Sequence, residues 1–456
     1  MDRSTIAAIA TAAGNAGIGI VKISGNQAIA ITASLFHPAR SSANWTLSHR
    51  LCYGRIKAPD NGELVDDVLV SVMRAPFSYT GEDVVEINAH GGRFVLERIL
   101  ELVLDAGARL AGPGEYTRRA FVNGRIDLTQ AEAVIDIVMA KTALQQRHAA
   151  AQRDGRLSAV VSALRQELVQ ALVALEAAID FPEDIADEQP QALAERLATT
   201  VLTPAQALAD AYRDGRLLRE GVRLALVGRP NVGKSSLLNK LLDSDRVIVT
   251  PYPGTTRDVI EETIMIDGVT IALADTAGLH ESADPIETLG MARTRAHAQR
   301  CDLVVFVVEA NALGPDETLI EPFQEKPLIV AINKIDLADE QALAKTSTYW
   351  HRYPQVRVSA LTGAGTATLK AAIGQICLGQ GMTDPDMLVP AKRHQQAIVQ
   401  VIDHTRLAID GLLDGLPAEL VCMELQTARA AADAMLGIDA PPELLDEIFS
   451  RFCIGK

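Results

Sequence analysis

The sequence predicts a multidomain protein: an α+β N-terminal domain, then a discontinuous all-α helical domain into which an α/β P-loop domain is inserted. Three observations lead to this reading. Short strand-like apolar runs fill the chain up to about Ala120, and long Ala- and Leu-rich segments of helical period follow and return near the C-terminus. Between the helical segments, the apolar run 222–227 leads into Gly228-Arg-Pro-Asn-Val-Gly-Lys234-Ser235 and a helix-like Ser236 to Leu242. That is the strand, glycine loop and helix that a polyphosphate cradle requires. At 456 residues and 48% apolar content, the chain is too long for one core and well supplied for two or three.

Composition narrows the function classes. A formal charge of −15 disfavours non-specific binding to a phosphate backbone, so any nucleic-acid contact needs a local basic patch or a partner protein. Five scattered cysteines without C-x-x-C spacing argue against a disulfide framework or a zinc site. Without a basic, apolar leader, or a run of about eighteen apolar residues, the expected location is cytoplasmic and non-spanning.

Taken in order, strands are expected at 5–10, 18–24, 67–73 and 83–88, with a helix over 92–106. Gly14, Gly17 and Gly19 resemble a dinucleotide fingerprint, but a strand follows them rather than a helix, so that reading is rejected. Thr129-Gln-Ala-Glu132 fits a capping box that opens a helical run to Asp180, broken at Gly155 and stopped by Pro182. Helices are also expected over 190–219, 390–436 and 441–452. The domains are accordingly set at 1–120, 121–220, 221–378 and 379–456, the second and fourth forming the helical domain.

The P-loop chemistry follows from residue type. Backbone N–H groups of Asn231, Val232, Gly233, Lys234, Ser235 and Ser236 can wrap a polyphosphate where glycine admits close approach, with Lys234 on the β- and γ-phosphates and Ser235 on Mg²⁺. Downstream, Asp267-Gly268 marks a hairpin whose second strand ends in Asp275-Thr276-Ala277-Gly278, suited to water-mediated Mg²⁺ binding and γ-phosphate sensing. The base is read by Asn333-Lys334-Ile-Asp336 at a strand end. Asp336 accepts from the N1/N2 edge of guanine, whereas adenine would leave it unpaired. Lys334 covers the base, and Ser359-Ala360-Leu361 supplies a backbone donor to the guanine oxygen. The domain is therefore expected to bind GTP, as a Ras-like GTPase domain. Thr250-Pro251-Tyr252-Pro253-Gly254-Thr255-Thr256 forms a switch loop, with Thr256 as second Mg²⁺ hydroxyl. Leu279 stands where many GTPases carry a water-orienting glutamine, so hydrolysis needs Glu281, Asp284 or Glu287, a cation, or a partner's residue. Asn231 offers an oxygen ligand for such a monovalent cation.

These motifs, with Thr-Pro-Tyr-Pro-Gly-Thr-Thr-Arg-Asp, Asp-Thr-Ala-Gly-Leu and the terminal Phe452-Cys-Ile-Gly-Lys456, resemble the MnmE (TrmE) family of tRNA modification GTPases over essentially the whole chain. The resemblance implies a homodimer whose N-terminal domains bind a tetrahydrofolate one-carbon donor (5-formyl or 5,10-methylene). It further implies G domains that dimerise across K⁺ during hydrolysis, and work with the FAD-binding flavoprotein MnmG to install an aminomethyl-type group at C5 of the wobble uridine of certain tRNAs. By motif, K⁺ falls to Asn231, Thr250, Tyr252 and Thr255, Mg²⁺ to Ser235 and Thr256, and orientation of the attacking water to Glu287. Folate contacts fall to Lys22, Glu82, Arg125 and Lys456; Lys22 and Arg125 exchange arginine and lysine relative to the family, which alters fork geometry. The rival reading is a GTP-controlled ribosome or rRNA assembly factor, against which stands the absence of a C-terminal GXXG-type module or basic run.

Overall fold

A computed structural model describes residues 4–40, 44–180, 190–245, 262–274, 301–311, 317–378 and 388–456. The N-terminal part is a seven-stranded sheet formed by β1 (Ile6–Ile9), β2 (Ala16–Ser24), β3 (Phe36–Pro38), β4 (Leu51–Lys57), β5 (Leu64–Met73), β6 (Val84–Gly91) and β7 (Arg109–Leu110), in the order β3-β4-β5-β6-β2-β1-β7. Only the β1/β7 pairing is parallel. Strand alternation builds two different faces. Val21 and Ile23 join Val85 and Ile87 beneath α1 (Ala28–Leu35) and α2 (Arg93–Asp105), which contribute Ile31, Leu35, Leu96 and Ile99. On the opposite face, Ile6 and Ala8 pack with Tyr116 of α3 (Glu115–Val122).

The helices that follow are α4 (Leu128–Met139), α5 (Ala143–Arg153), α6 (Arg156–Asp180), α7 (Pro190–Leu197) and α8 (Thr203–Glu220), the last two joined by a π-helical turn, Ala198–Leu202. The capping box lies two residues earlier than expected. Asp127 Oδ1 accepts from Gln130 N, and Gln130 Oε1 accepts from Asp127 N, both at 3.0 Å. Thr129 instead turns its hydroxyl to Asp127 Oδ1 at 2.7 Å, and both Thr129 and Glu132 are buried inside the helix. The reciprocal bonding is that of a capping box; an aspartate that can cap takes the role from a threonine already within the first turn. The helical run breaks near Gly155 as expected and also before Ala143, where Thr142 Oγ1 accepts from Gln145 N at 3.1 Å.

The nucleotide domain comprises β8 (Val222–Val227), α9 (Lys234–Asp245), β9 (Glu262–Ile266), β10 (Val269–Ala274), β11 (Leu303–Glu309), α10 (Glu317–Ile320), β12 (Leu328–Asn333), α11 (Glu340–Tyr349), β13 (Gln355–Arg357) and α12 (Thr366–Leu378). Its sheet runs β13-β12-β11-β8-β10-β9, parallel except for β9. Every residue of β12 is buried, as is every residue of β11 except Glu309, because helices cover both faces of a parallel sheet. Leu237, Leu241, Leu369 and Ile373 close one face, and Phe323, Leu343 and Trp350 the other.

The chain ends in α13 (Lys392–Leu413), α14 (Ala418–Leu436) and α15 (Pro442–Ser450). The single helix expected over 390–436 is two helices, since Gly415 adopts φ 71° and Pro417 cannot continue a helix. The chain divides into two compact units. One comprises Met1–Ile135, Arg153–Glu188 and Asp414–Lys456; the other comprises Asp136–Gln152 and Gln189–Leu413. In each, helices from either side of the nucleotide domain pack together: α6 with α14 in the first, α7 and α8 with α13 in the second. Among the described residues only α6 is long and apolar enough to cross a membrane; it lies against α14 and carries the Arg165–Asp433 ion pair.

Candidate functional site: a phosphate loop and a base-reading cluster

The carboxyl ends of β8 and β12 carry the described part of the predicted nucleotide site, the edge where open parallel sheets bind ligands. After β8 the loop turns sharply. Gly228 has φ 153°, and a Cβ there would lie 2.3 Å from Val307 O; Gly233 has φ 96°, and its Cβ would meet Asn333 Nδ2 at 2.3 Å. Only glycine lets the backbone pass both points, leaving the N–H groups at the start of α9 open to a phosphate, as a P-loop demands. Asn231 adopts the left-handed conformation at φ 63°, which asparagine tolerates better than most residues. Lys234 is 6% exposed, and its ammonium donates to Gly228 O at 2.9 Å and Arg229 O at 2.7 Å. Burial pushes its pKa below the ordinary lysine value. Val232 packs into the core below the loop, while Ser235 and Ser236 open the first turn of α9.

Asn333 ties the P-loop to the segment expected to read the base. Its Nδ2 donates to Val232 O at 2.8 Å, and its Oδ1 accepts from Ala360 N at 3.0 Å. Lys334, at φ 61°, donates to Asn231 O at 2.8 Å and pairs with Glu309. Fully buried Ser359 donates its hydroxyl to Asp336 Oδ1 at 2.5 Å, fixing that carboxylate at the strand end. The Ser359 amide bonds to Ala364 O and the Ala360 amide to Asn333, so both are occupied within the protein. Leu361, 82% exposed, is the remaining member of the expected backbone-donor segment. Thr250, Pro251, Tyr252, Pro253, Gly254, Thr255, Thr256, Asp275, Thr276, Ala277, Gly278 and Glu287 lie outside the described residues.

In the N-terminal unit, Lys22 is not a solvated strand residue. Its ammonium lies 5.4 Å from the Tyr116 ring centroid, 5.8 Å from that of Tyr79 and 3.6 Å from Glu86. Glu82 is held by Ser24 Oγ at 2.7 Å and by Arg119, whose Nη1 donates to both carboxylate oxygens at 3.2 and 3.0 Å. Arg125 packs beside Gly81, next in sequence to Glu82. The C-terminal tail is anchored by an Ile454 bridge to Pro113 and by Gly455 beside Ile9 O, and it ends at exposed Lys456. Glu82 and Arg119 also line a cavity of about 1030 Å³ with Arg109, Glu115, Arg118 and Asp446.

Sequence reading missed Arg119, which is 8% exposed and holds Glu82, Glu115 and Ser4 O together. Its spacing of four residues from Glu115 was the available signal. Burial pushes the Glu115 carboxyl up, but bonds from Arg109, the Gly112 amide and Arg119 outweigh it, and the pKa ends below the ordinary value. Stability from Glu115 is therefore full above the unfolded carboxyl pKa of about 4.3 and lost as pH falls through the lower folded value. Glu115→Gln should cost about 2 kcal/mol at pH 7 in denaturant unfolding. That gap should close on acidification below pH 4; a gap independent of pH would refute the ion-pair account.

Residues 128–453 match the MnmE helical domain family model, and residues 5–125 match that of the GTP-binding protein TrmE N-terminus. Curated relatives called tRNA modification GTPase MnmE align over the whole length. The protein from Moorella thermoacetica is 46% identical over 99% of both chains, that from Symbiobacterium thermophilum is 45% identical over 100% of both, and that from Roseiflexus sp. (strain RS-1) is 43% identical over 99% of both. With both family models matched and identity of this level over the whole length of the relatives, the chain belongs to the MnmE family of tRNA modification GTPases.

Proposed function

We propose that this chain hydrolyses GTP to drive a folate-dependent modification of tRNA, adding an aminomethyl or carboxymethylaminomethyl group at C5 of the wobble uridine. The observation that carries the GTP assignment is the Asn333 side chain, bonded at once to the P-loop carbonyl of Val232 and to the Ala360 amide. It joins the phosphate loop to the segment whose Asp336 carboxylate suits the guanine edge. Glycine at 233, where a Cβ has no room, suits close approach of a phosphate to the loop backbone. Mg²⁺ would be held by Ser235 and Thr256, and would neutralise charge on the phosphates during hydrolysis.

Leu279 leaves the water-orienting role to Glu287 and the charge-compensating role to K⁺, bound by Asn231, Thr250, Tyr252 and Thr255. The left-handed backbone of Asn231, anchored through its carbonyl to Lys334, supports this by holding the residue in one conformation. In the N-terminal unit, cationic Lys22, Arg125 and Lys456 suit the carboxylates of a tetrahydrofolate, and Glu82 suits its ring N–H donors. A homodimer is supported by exposed Leu51, Tyr53 and Leu69, with Tyr53 and Leu69 facing each other across β4 and β5. An FAD-binding flavoprotein partner of the MnmG type completes the reaction, in the cytoplasm.

GTP turnover by the full-length protein should be at least about tenfold faster in K⁺ than in Na⁺, a barrier difference of roughly 1.4 kcal/mol. Asn231→Lys should remove the difference. Equal rates in the two salts would refute the cation site, and a dependence that survives Asn231→Lys would move it off Asn231.

A further inference from the structure

The geometry points to Glu309 as a positioning residue of the base-reading site, acting on bound guanine nucleotide through Lys334. This rests on the reading that residues 333–336 recognise guanine. Lys334 has to lie along the base with its stem extended, yet a lysine has four rotatable side-chain bonds and is among the costliest residues to hold in one conformation. Here the ammonium is held by two acceptors. One is the P-loop carbonyl of Asn231 at 2.8 Å; the other is the Glu309 carboxylate.

Glu309 is well placed to keep that contact. It is the last residue of β11 and stands in register with Asn333 of β12, and the next residue, Ala310, donates its amide to Asn333 O at 2.8 Å. The ladder thus fixes the carboxylate's backbone against the segment that carries Lys334. It is also the only residue of β11 that is not buried, which puts its charge at the strand end beside the loop instead of in the core.

Charge sharpens the argument. Lys334 approaches a loop that already contains the Lys234 ammonium, bonded to the carbonyls of Gly228 and Arg229. Two ammonium groups on one short loop repel, and the carboxylate of Glu309 offsets that repulsion on the Lys334 side. Glu309 does not touch the nucleotide in this account. It keeps Lys334 extended along the path from base to P-loop, so its loss releases nucleotide faster by freeing the lysine.

The test uses the full-length protein with Glu309→Ala, Glu309→Gln and Glu309→Asp, measuring release of fluorescent GDP, KM and kcat for GTP, and thermal unfolding without nucleotide. Removing one member of a hydrogen-bonded charge pair acts mainly on the off-rate, so Glu309→Ala should speed GDP release about tenfold. KM should rise in proportion, with kcat changed far less, and the unfolding midpoint should stay in place. Glu309→Gln should fall between Ala and wild type, and Glu309→Asp should restore much of the retention. Adding Glu309→Ala to Lys334→Ala should give little further acceleration, because Glu309 acts only through Lys334. Wild-type release rates in Glu309→Ala, or multiplicative effects in the double variant, would overturn the assignment. If the wild-type protein holds ADP as well as GDP, the guanine reading itself fails; selective guanine binding with an unaltered Glu309→Ala removes Glu309 alone.

Discussion

Asp336→Asn is expected to convert the protein from GTP to xanthosine triphosphate. The Asp336 carboxylate accepts hydrogen bonds, and guanine presents donors at both N1 and the exocyclic amine. An amide in its place presents an N–H to that amine, whereas xanthine has a carbonyl there. The structure makes the exchange clean. Ser359 Oγ, fully buried, donates to Asp336 Oδ1 at 2.5 Å, so an asparagine retains that bond through its own oxygen and turns its Nδ2 towards the base. Sites built around buried polar pairing reject a mismatched partner by about 10⁴-fold. Selectivity between GTP and xanthosine triphosphate should therefore invert in kcat/KM, with melting changed little. A variant that still prefers GTP would show that the base is read elsewhere.

The second large effect is Lys234→Met. Lys234 is buried with a depressed pKa, and its ammonium is bonded to the carbonyls of Gly228 and Arg229. A base whose folded pKa lies below its unfolded value binds fewer protons in the folded state, so below that value its charge costs stability, and the cost fades as pH rises towards about 10.4. Methionine removes the buried charge at similar length. The nucleotide-free protein should melt at the same temperature or higher, while stabilisation by GTP and Mg²⁺ disappears and hydrolysis falls about 10³-fold, the scale of losing a preorganised charge at a transferring phosphoryl group. A variant that melts early and loses activity together would mark a structural role instead.

Much of this architecture was legible in the sequence because its signals are local. The P-loop demands glycine at 228 and 233, and the structure shows why, since a Cβ at either would lie 2.3 Å from a neighbouring atom. The run 222–227 before the glycine loop marks an α/β P-loop domain, and its continuous apolar character fits the parallel sheet observed, whose strands are buried on both faces and need no alternation. What escaped depended on partners distant in sequence or on competition between neighbours. Strand β4 hid behind exposed Leu51 and Tyr53 and a central Gly54, which lies against Phe36 and the His37 carbonyl. The cap of α4 went to Asp127 because aspartate and threonine two residues apart compete for one role, and only the reciprocal bond from Gln130 decides it. Arg119 was not singled out because its main partner, Glu82, is 37 residues away. The rings beside the Lys22 ammonium, Tyr79 and Tyr116, lie far from it in sequence, so nothing local to β2 shows them.

The central claim joins GTP hydrolysis by this chain to the chemistry of tRNA. It is tested most directly by nucleoside analysis of tRNA from cells whose only copy of the protein carries Lys234→Met. The account predicts that wobble uridines normally bearing an aminomethyl or carboxymethylaminomethyl group at C5 will lack it, with modifications elsewhere in the same tRNAs unchanged. Wobble uridines modified to the wild-type level, in cells where the variant is folded and inactive towards GTP, would contradict it.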